Sequence, residues 1–136
     1  MLSGSCLCGA VVFEADAHAG LITFCNCRNC RKASGTAFAA NMSVPRNAFR
    51  WVKGEDALRG YESSPGKVRR FCGRCGSPMT AERPADPAAA VRVRLGTVDT
   101  PIENCSYGGH IWRSEAADWY EPKRSVPEWP GFAPQP

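Results

Sequence analysis

The run Phe24-Cys25-Asn26-Cys27-Arg28-Asn29-Cys30 places three thiols within six residues. A second group is split, with Cys6 and Cys8 near the start of the chain and Cys72 and Cys75 at its middle. Seven of the eight cysteines therefore divide into a three and a four. Thiolates in such spacings hold zinc; structural zinc closes with four protein ligands, while catalytic zinc keeps three and leaves one position for water or substrate. The grouping predicts two zinc ions per chain. Cys72-x-x-Cys75 has a knuckle spacing, and joined to Cys6-x-Cys8 it makes a four-thiolate site. Cys25, Cys27 and Cys30 hold the second ion, whose fourth position falls to water, a substrate thiol, Cys105 or His110. A thiol entering that shell loses its proton and becomes a nucleophile. Arg28, Arg31 and Lys32 flank the cluster, where they would lower thiol pKa values and attract an anionic ligand.

Other uses of these cysteines fit less well. Four disulfides would need an oxidising compartment. The first residues, Met1 to Cys6, show neither the basic nor the apolar region of a secretory signal. A cytoplasmic location is expected on that basis. A redox-active Cys72–Cys75 pair would sit in a strand–helix–strand unit, which is not apparent here. The formal charge of +4 counts every cysteine as neutral. Seven thiolates and two divalent ions would bring it to about +1, so the basic surplus is no argument for a nucleic-acid partner. No apolar run reaches the roughly 18 residues of a membrane span. Oligomeric state leaves no mark in the sequence.

The elements that must position these thiols are short. Across the 136 residues, 43% hydrophobic and 22% charged, the size and composition suit a single globular domain, 1–136. Strands are predicted over residues 10–15, 21–25, 37–44, 48–52, 58–62, 67–71, 79–83 and 91–95, with Gly- and Pro-rich turns between them. If Cys6 and Cys8 lie in extended chain, their side chains share a face. One helical turn is predicted over 28–34, ended by Gly35. Arg92 and Arg94 alternate with Val91, Val93 and Leu95, a half-buried strand pattern. Arg69 and Arg70 offer contacts for the carboxylates of a ligand or a solvated strand face. Trp51, Trp112, Trp119 and Trp129 read as core and cover. His18 reads as exposed. Residues 122–136 carry five prolines and read as an irregular tail partly draped over the body.

The motifs resemble those of the glutathione-dependent formaldehyde-activating enzymes, also called the centromere-protein-V-like domain. The likeness rests on Gly4-Ser5-Cys6-Leu7-Cys8-Gly9-Ala10-Val11, Cys25-Asn26-Cys27-Arg28-Asn29-Cys30-Arg31 and Gly35. It continues in Ser63-Ser64-Pro65-Gly66, Arg70-Phe71-Cys72-Gly73-Arg74-Cys75-Gly76-Ser77, Leu95-Gly96-Thr97-Val98-Asp99 and His110-Ile111. The resemblance implies a mainly β, Mss4-like fold of packed antiparallel sheets with short helical turns, stapled by zinc. It implies structural zinc on Cys6, Cys8, Cys72 and Cys75, and catalytic zinc on Cys25, Cys27 and Cys30. The implied reaction is that of a carbon–sulfur lyase, joining glutathione and formaldehyde as S-hydroxymethylglutathione. Two positions depart from the family pattern. Asn26 stands where histidine is common, and Cys105-Ser106-Tyr107-Gly108-Gly109 stands where proline is frequent. His110 is a candidate pocket residue, and Arg28, Arg31 and Lys32 are candidate contacts for the thiol substrate. The competing expectation is a zinc-stabilised module that binds a protein partner without catalysis.

Overall fold

The computed structural model describes residues 1–16, 20–122 and 127–135; His18 and residues 123–126 and 136 of the tail lie outside them. Among the described residues, ten strands and one short helix occur in the order β1 (Leu2–Ser5), β2 (Val12–Ala15), β3 (Leu21–Cys25), α1 (Arg28–Ser34), β4 (Ala39–Val44), β5 (Phe49–Lys53), β6 (Leu58–Ser64), β7 (Lys67–Cys72), β8 (Pro78–Glu82), β9 (Val91–Arg94) and β10 (Ser106–Ile111). The strands form two sheets. The smaller is antiparallel, β1-β2-β5, and the larger runs β10-β3-β4-β9-β8-β7-β6.

Alternation of apolar and polar residues decides which face of each strand is covered. Phe13 and Ala15 of β2 are fully buried, and Val91 and Val93 of β9 are buried against the same core as Met42 and Val44 of β4. This core lies between the sheets and includes Cys6 and Cys72. Phe13 stacks on Phe49 at 5.4 Å between ring centres and meets Trp51 edge-on, closing the small sheet over it. No helix among the described residues is long and apolar enough to cross a membrane.

Two features differ from the sequence expectations. Cys6 to Gly9 is a turn, closed by the Gly9 amide donating to the Cys6 carbonyl at 2.9 Å, and not extended chain. β10 exists where no strand was predicted, and it pairs with β3 in parallel, Ile111 beside Cys25, so the large sheet is mixed. The described part of the tail is irregular and draped on the body, as expected. Residues 127–131 run along β10, with His110 N donating to Pro127 O and Trp129 N to His110 O, both at 2.8 Å. Gly109 makes this approach possible, since a Cβ there would lie 2.3 Å from the Pro127 carbonyl oxygen. Trp129 and Trp112 cover the helix side of the sheet and Trp51 the small sheet, as expected, but Trp119 is 69% exposed.

Candidate metal centres

Two glycine-closed turns build the four-thiol centre. Gly9 and Gly76 take left-handed φ values of 77° and 80°, a region that costs other residues free energy, and so fold each turn back on its cysteines. Gly76 N donates to Cys72 O at 2.8 Å, repeating the Gly9–Cys6 bond. The four sulfurs lie within 4.8 Å of one another. Cys6 and Cys8 Sγ are 3.6 Å apart, and Cys8 and Cys72 Sγ are 3.9 Å apart. Four ligands at the zinc–sulfur bond length of ~2.3 Å on a tetrahedron would be about 3.8 Å apart, so the donor set fits a tetrahedral thiophilic ion. Backbone amides of Val11 and Arg74 point at Cys6 and Cys72 Sγ, at 3.3 and 3.4 Å. Ser77 and the backbone around it hold the Cys75 thiol down to about 5. Donors of this kind stabilise thiolates.

The three-thiol centre forms where β3 ends and α1 begins. Cys25 is the last residue of β3. Cys27 caps α1, its sulfur accepting from Cys30 N at 3.3 Å. Cys30 is the buried residue of that helix. Their sulfurs also lie within 4.8 Å of one another, and among the described residues no fourth histidine, cysteine or carboxylate ligand atom joins them at that distance. Cys105 packs against the inter-sheet core instead. The three thiols share protons unequally. Hydrogen bonds from Cys25 and Cys27 hold Cys30 far below the usual thiol range, against burial, with Arg69 and Arg94 adding to the effect. Contact with Cys27 and Cys30, together with burial, pushes Cys25 up.

Asn26, between two of these cysteines, is fully buried. Its Nδ2 lies 2.9 Å from Phe24 O and 3.1 Å from both Ile111 O and His110 Nδ1. Its Oδ1 accepts from Arg113 Nη1 at 3.1 Å. Arg113 in turn pairs with Glu128 at 2.8 Å and Glu121 at 3.6 Å. The two Nδ2 hydrogens serve three neighbours, the Phe24 and Ile111 carbonyls and His110 Nδ1. His110 is in register with Phe24, whereas Cys25 neighbours Ile111, so the imidazole points to the face of the sheet opposite Cys25. It packs among Phe24, Phe38 and Tyr120. Burial, and then Arg113, pull its pKa down.

The buried cations against Cys30 come from the sheet, while Arg31 of the helix is half-buried. Arg28 and Lys32 are exposed, and the Arg28 amide bonds to Glu115 at 3.1 Å. Arg69 of β7, 8% exposed, donates Nη1 to Cys30 Sγ at 3.6 Å and Nε to Ser63 Oγ at 2.8 Å. Arg94 of β9, 6% exposed, bonds to Asn41 and lies against Cys30. Burial lowers the pKa of Lys67 and the thiol charges oppose it. The Arg92–Arg94 alternation was the available signal, but it shows only that the two share a face, not that the face looks onto thiols.

Fold and site together define a small mixed-sheet domain carrying two thiol clusters that could hold metal ions. The profile of the glutathione-dependent formaldehyde-activating enzyme family matches residues 1–115, and the chain belongs to that family. A relative from Halomonas elongata named "Putative glutathione-dependent formaldehyde-activating enzyme" is 29% identical over 150 residues, spanning 95% of this chain and 94% of the relative. A crystal structure of a Rhodobacter sphaeroides protein shares the fold, with a TM-score of 0.62 and 24% identity, covering 74% of this chain and 91% of that one.

Proposed function

We propose that this chain is a single-domain, zinc-dependent enzyme of the carbon–sulfur lyase type, acting on glutathione and formaldehyde or a related hemithioacetal. The three-thiol centre carries this reading, since its sulfurs converge with no fourth protein ligand among the described residues. Cys25, Cys27 and Cys30 would hold a catalytic zinc, and Cys6, Cys8, Cys72 and Cys75 a structural one. Zinc bound there would lower the pKa of an incoming thiol and polarise a carbonyl. In the forward direction a sulfur–carbon bond forms, the carbonyl π pair moves to oxygen, and the thiol proton ends on that oxygen; the reverse reaction undoes each change. The chain's own residues set the environment. Arg69 and Arg94 neutralise the thiolates from the sheet side. Trp129, Trp112 and Ala133 pack around Cys25 and Cys30 and limit water at the cluster. His110 would serve by fixing Asn26 and the loop between two ligands, not by reaching substrate. Free cysteines in this number fit a reducing compartment such as the cytoplasm.

Exchange spectroscopy with ¹³C-formaldehyde and glutathione tests the reading. The zinc-loaded protein should speed interconversion of hydrated formaldehyde and hemithioacetal above the buffer rate, and Cys27→Ser should abolish the gain. Exchange at the buffer rate with two metals bound would favour the protein-binding module.

A further inference from the structure

We propose that Arg69, Arg94, Arg92 and Lys67 form a subsite for carboxylate, so that the thiols accepted here are those carrying carboxylates, either glutathione or a short mercapto acid. This inference rests on the thiol–aldehyde reading above.

Strand register places these cations on the thiol side of the large sheet. Cys25 is opposite Ala39 and Thr23 opposite Asn41. Asn41 is opposite Arg94 and Ser43 opposite Arg92. Ala81 pairs with both Arg92 and Arg69. Residues paired across strands share a face, as do residues two apart, so Cys25, Arg94, Arg92, Arg69 and Lys67 all project to one side. Arg69 and Arg94 reach Cys30 itself, while Lys67 is half-buried and Arg92 exposed farther along the face.

Among the described residues these four cations have no carboxylate partner. The ion pairs within 4.0 Å among the described residues use Arg46, Arg50, Arg70 and Arg113. Glu82, the buried acid nearest in sequence register, faces the other side and serves Arg70 at 2.9 Å and Arg46 at 3.9 Å. Three thiolates and one divalent ion amount to about one negative charge, against four cations. An entering thiolate cancels about one more. About two positive charges then remain on a partly dry surface, where an unpaired charge is costly and an anion is bound in its place. A thiol with one or two carboxylates supplies that charge from the same molecule. The helix cations Arg28 and Lys32, out in solvent, offer much less.

Cobalt-loaded full-length protein makes the test independent of turnover, because thiolate entry changes the sulfur-to-metal absorption. Glutathione, mercaptoacetate and 2-mercaptoethanol are titrated, with affinities expressed per thiolate. Glutathione or mercaptoacetate should bind about tenfold or more tightly than 2-mercaptoethanol. The stronger of the two acids identifies the source of the carboxylate, and S-methylglutathione should compete if it is the tripeptide. In the Lys67→Ala/Arg92→Ala double variant the preference for the acids over 2-mercaptoethanol should shrink to about threefold or less, the ratio cancelling any loss common to every thiolate. Unlike Arg69, neither residue hydrogen-bonds a cysteine among the described residues, and circular dichroism checks the fold. Equal affinity for charged and neutral thiols overturns the subsite but leaves the proposed function standing. A spectrum unmoved by every thiol overturns the proposed function and this inference with it.

Discussion

At the scale of single residues, His110 offers the clearest pH signature. Its pKa is held below the ordinary 6.5 by burial, and its Nδ1 lies 3.1 Å from Asn26 Nδ2, a donor. Protonation would set two donors against each other in a dry site. The unfolded chain takes up that proton at about 6.5, so the folding contribution of neutral His110 is present in full above that pH and is lost as pH falls toward the lower folded value. Denaturant titrations of zinc-loaded protein between pH 7.5 and 5 should show stability falling with acid. His110→Gln should fall less steeply, with the metal contribution common to both. Parallel slopes would mean that the fold leaves the imidazole pKa where the unfolded chain has it. The same residue shows what spacing can hide. His110 follows the cysteines in an aromatic stretch and reads as a pocket residue, yet one step of register along β10 turns it to the opposite face from Cys25.

At the scale of elements, the β10–tail pair acts as a clasp on the cysteine loop. Arg113 is its pin, joining Asn26 Oδ1, Glu128 and Glu121. Glu128 is 42% and Glu121 83% exposed, so those two pairs contribute little, and the bond to buried Asn26 carries more. Arg113→Ala should cost about 1–2 kcal/mol in urea denaturation, mostly from leaving the Asn26 carbonyl unpaired. Glu121→Ala should cost within about 0.5 kcal/mol. Similar losses from both would place the stabilisation in surface charge and not in the Asn26 contact. β10 was illegible in the sequence because Gly108-Gly109 reads as a turn. The two glycines instead let β10 bulge and the tail pass close by. The strands of the inter-sheet core were legible, since Val91-Arg92-Val93-Arg94 and its neighbours alternate cleanly. Which cations meet the thiols was not, because it depends on strand pairing among β3, β4, β9, β8 and β7, residues separated by tens of positions.

At the scale of the whole molecule, the two thiol clusters are placed differently with respect to the core. Cys6 and Cys72 are buried in the cluster of side chains that joins both sheets. Cys25 and Cys30 belong to a smaller cluster with Ala39 and Ile111. Removing Cys72 therefore leaves an incomplete site inside the main core, and removing Cys27 an incomplete site beside it. Elemental analysis of reduced wild-type protein should give about two zinc ions per chain. Cys72→Ser should abolish the cooperative melt, because structural zinc binding is folding free energy, while Cys27→Ser should retain the fold with about one zinc. Collapse of both variants would make both ions structural. The division of cysteines into four and three was legible from spacing alone. The mixed sheet was not, since nothing local marks a strand that pairs in parallel with a partner about eighty residues away.

That pairing has a consequence for the order in which the ribosome delivers the chain. β3 is interior to the large sheet only because β10 lies along one side of it and β4 along the other. At synthesis rates of about 5–20 residues per second, β10 emerges roughly 4–16 s after Cys25. During that interval β3 is an open edge, with unpaired amides and carbonyls beside three thiols. A nascent chain that takes up metal at Cys25, Cys27 and Cys30 in that window protects those thiols from oxidation, and fixes the end of the strand before its last neighbour arrives. Newly made protein in zinc-starved cells would meet its own C-terminal strand with that edge unguarded.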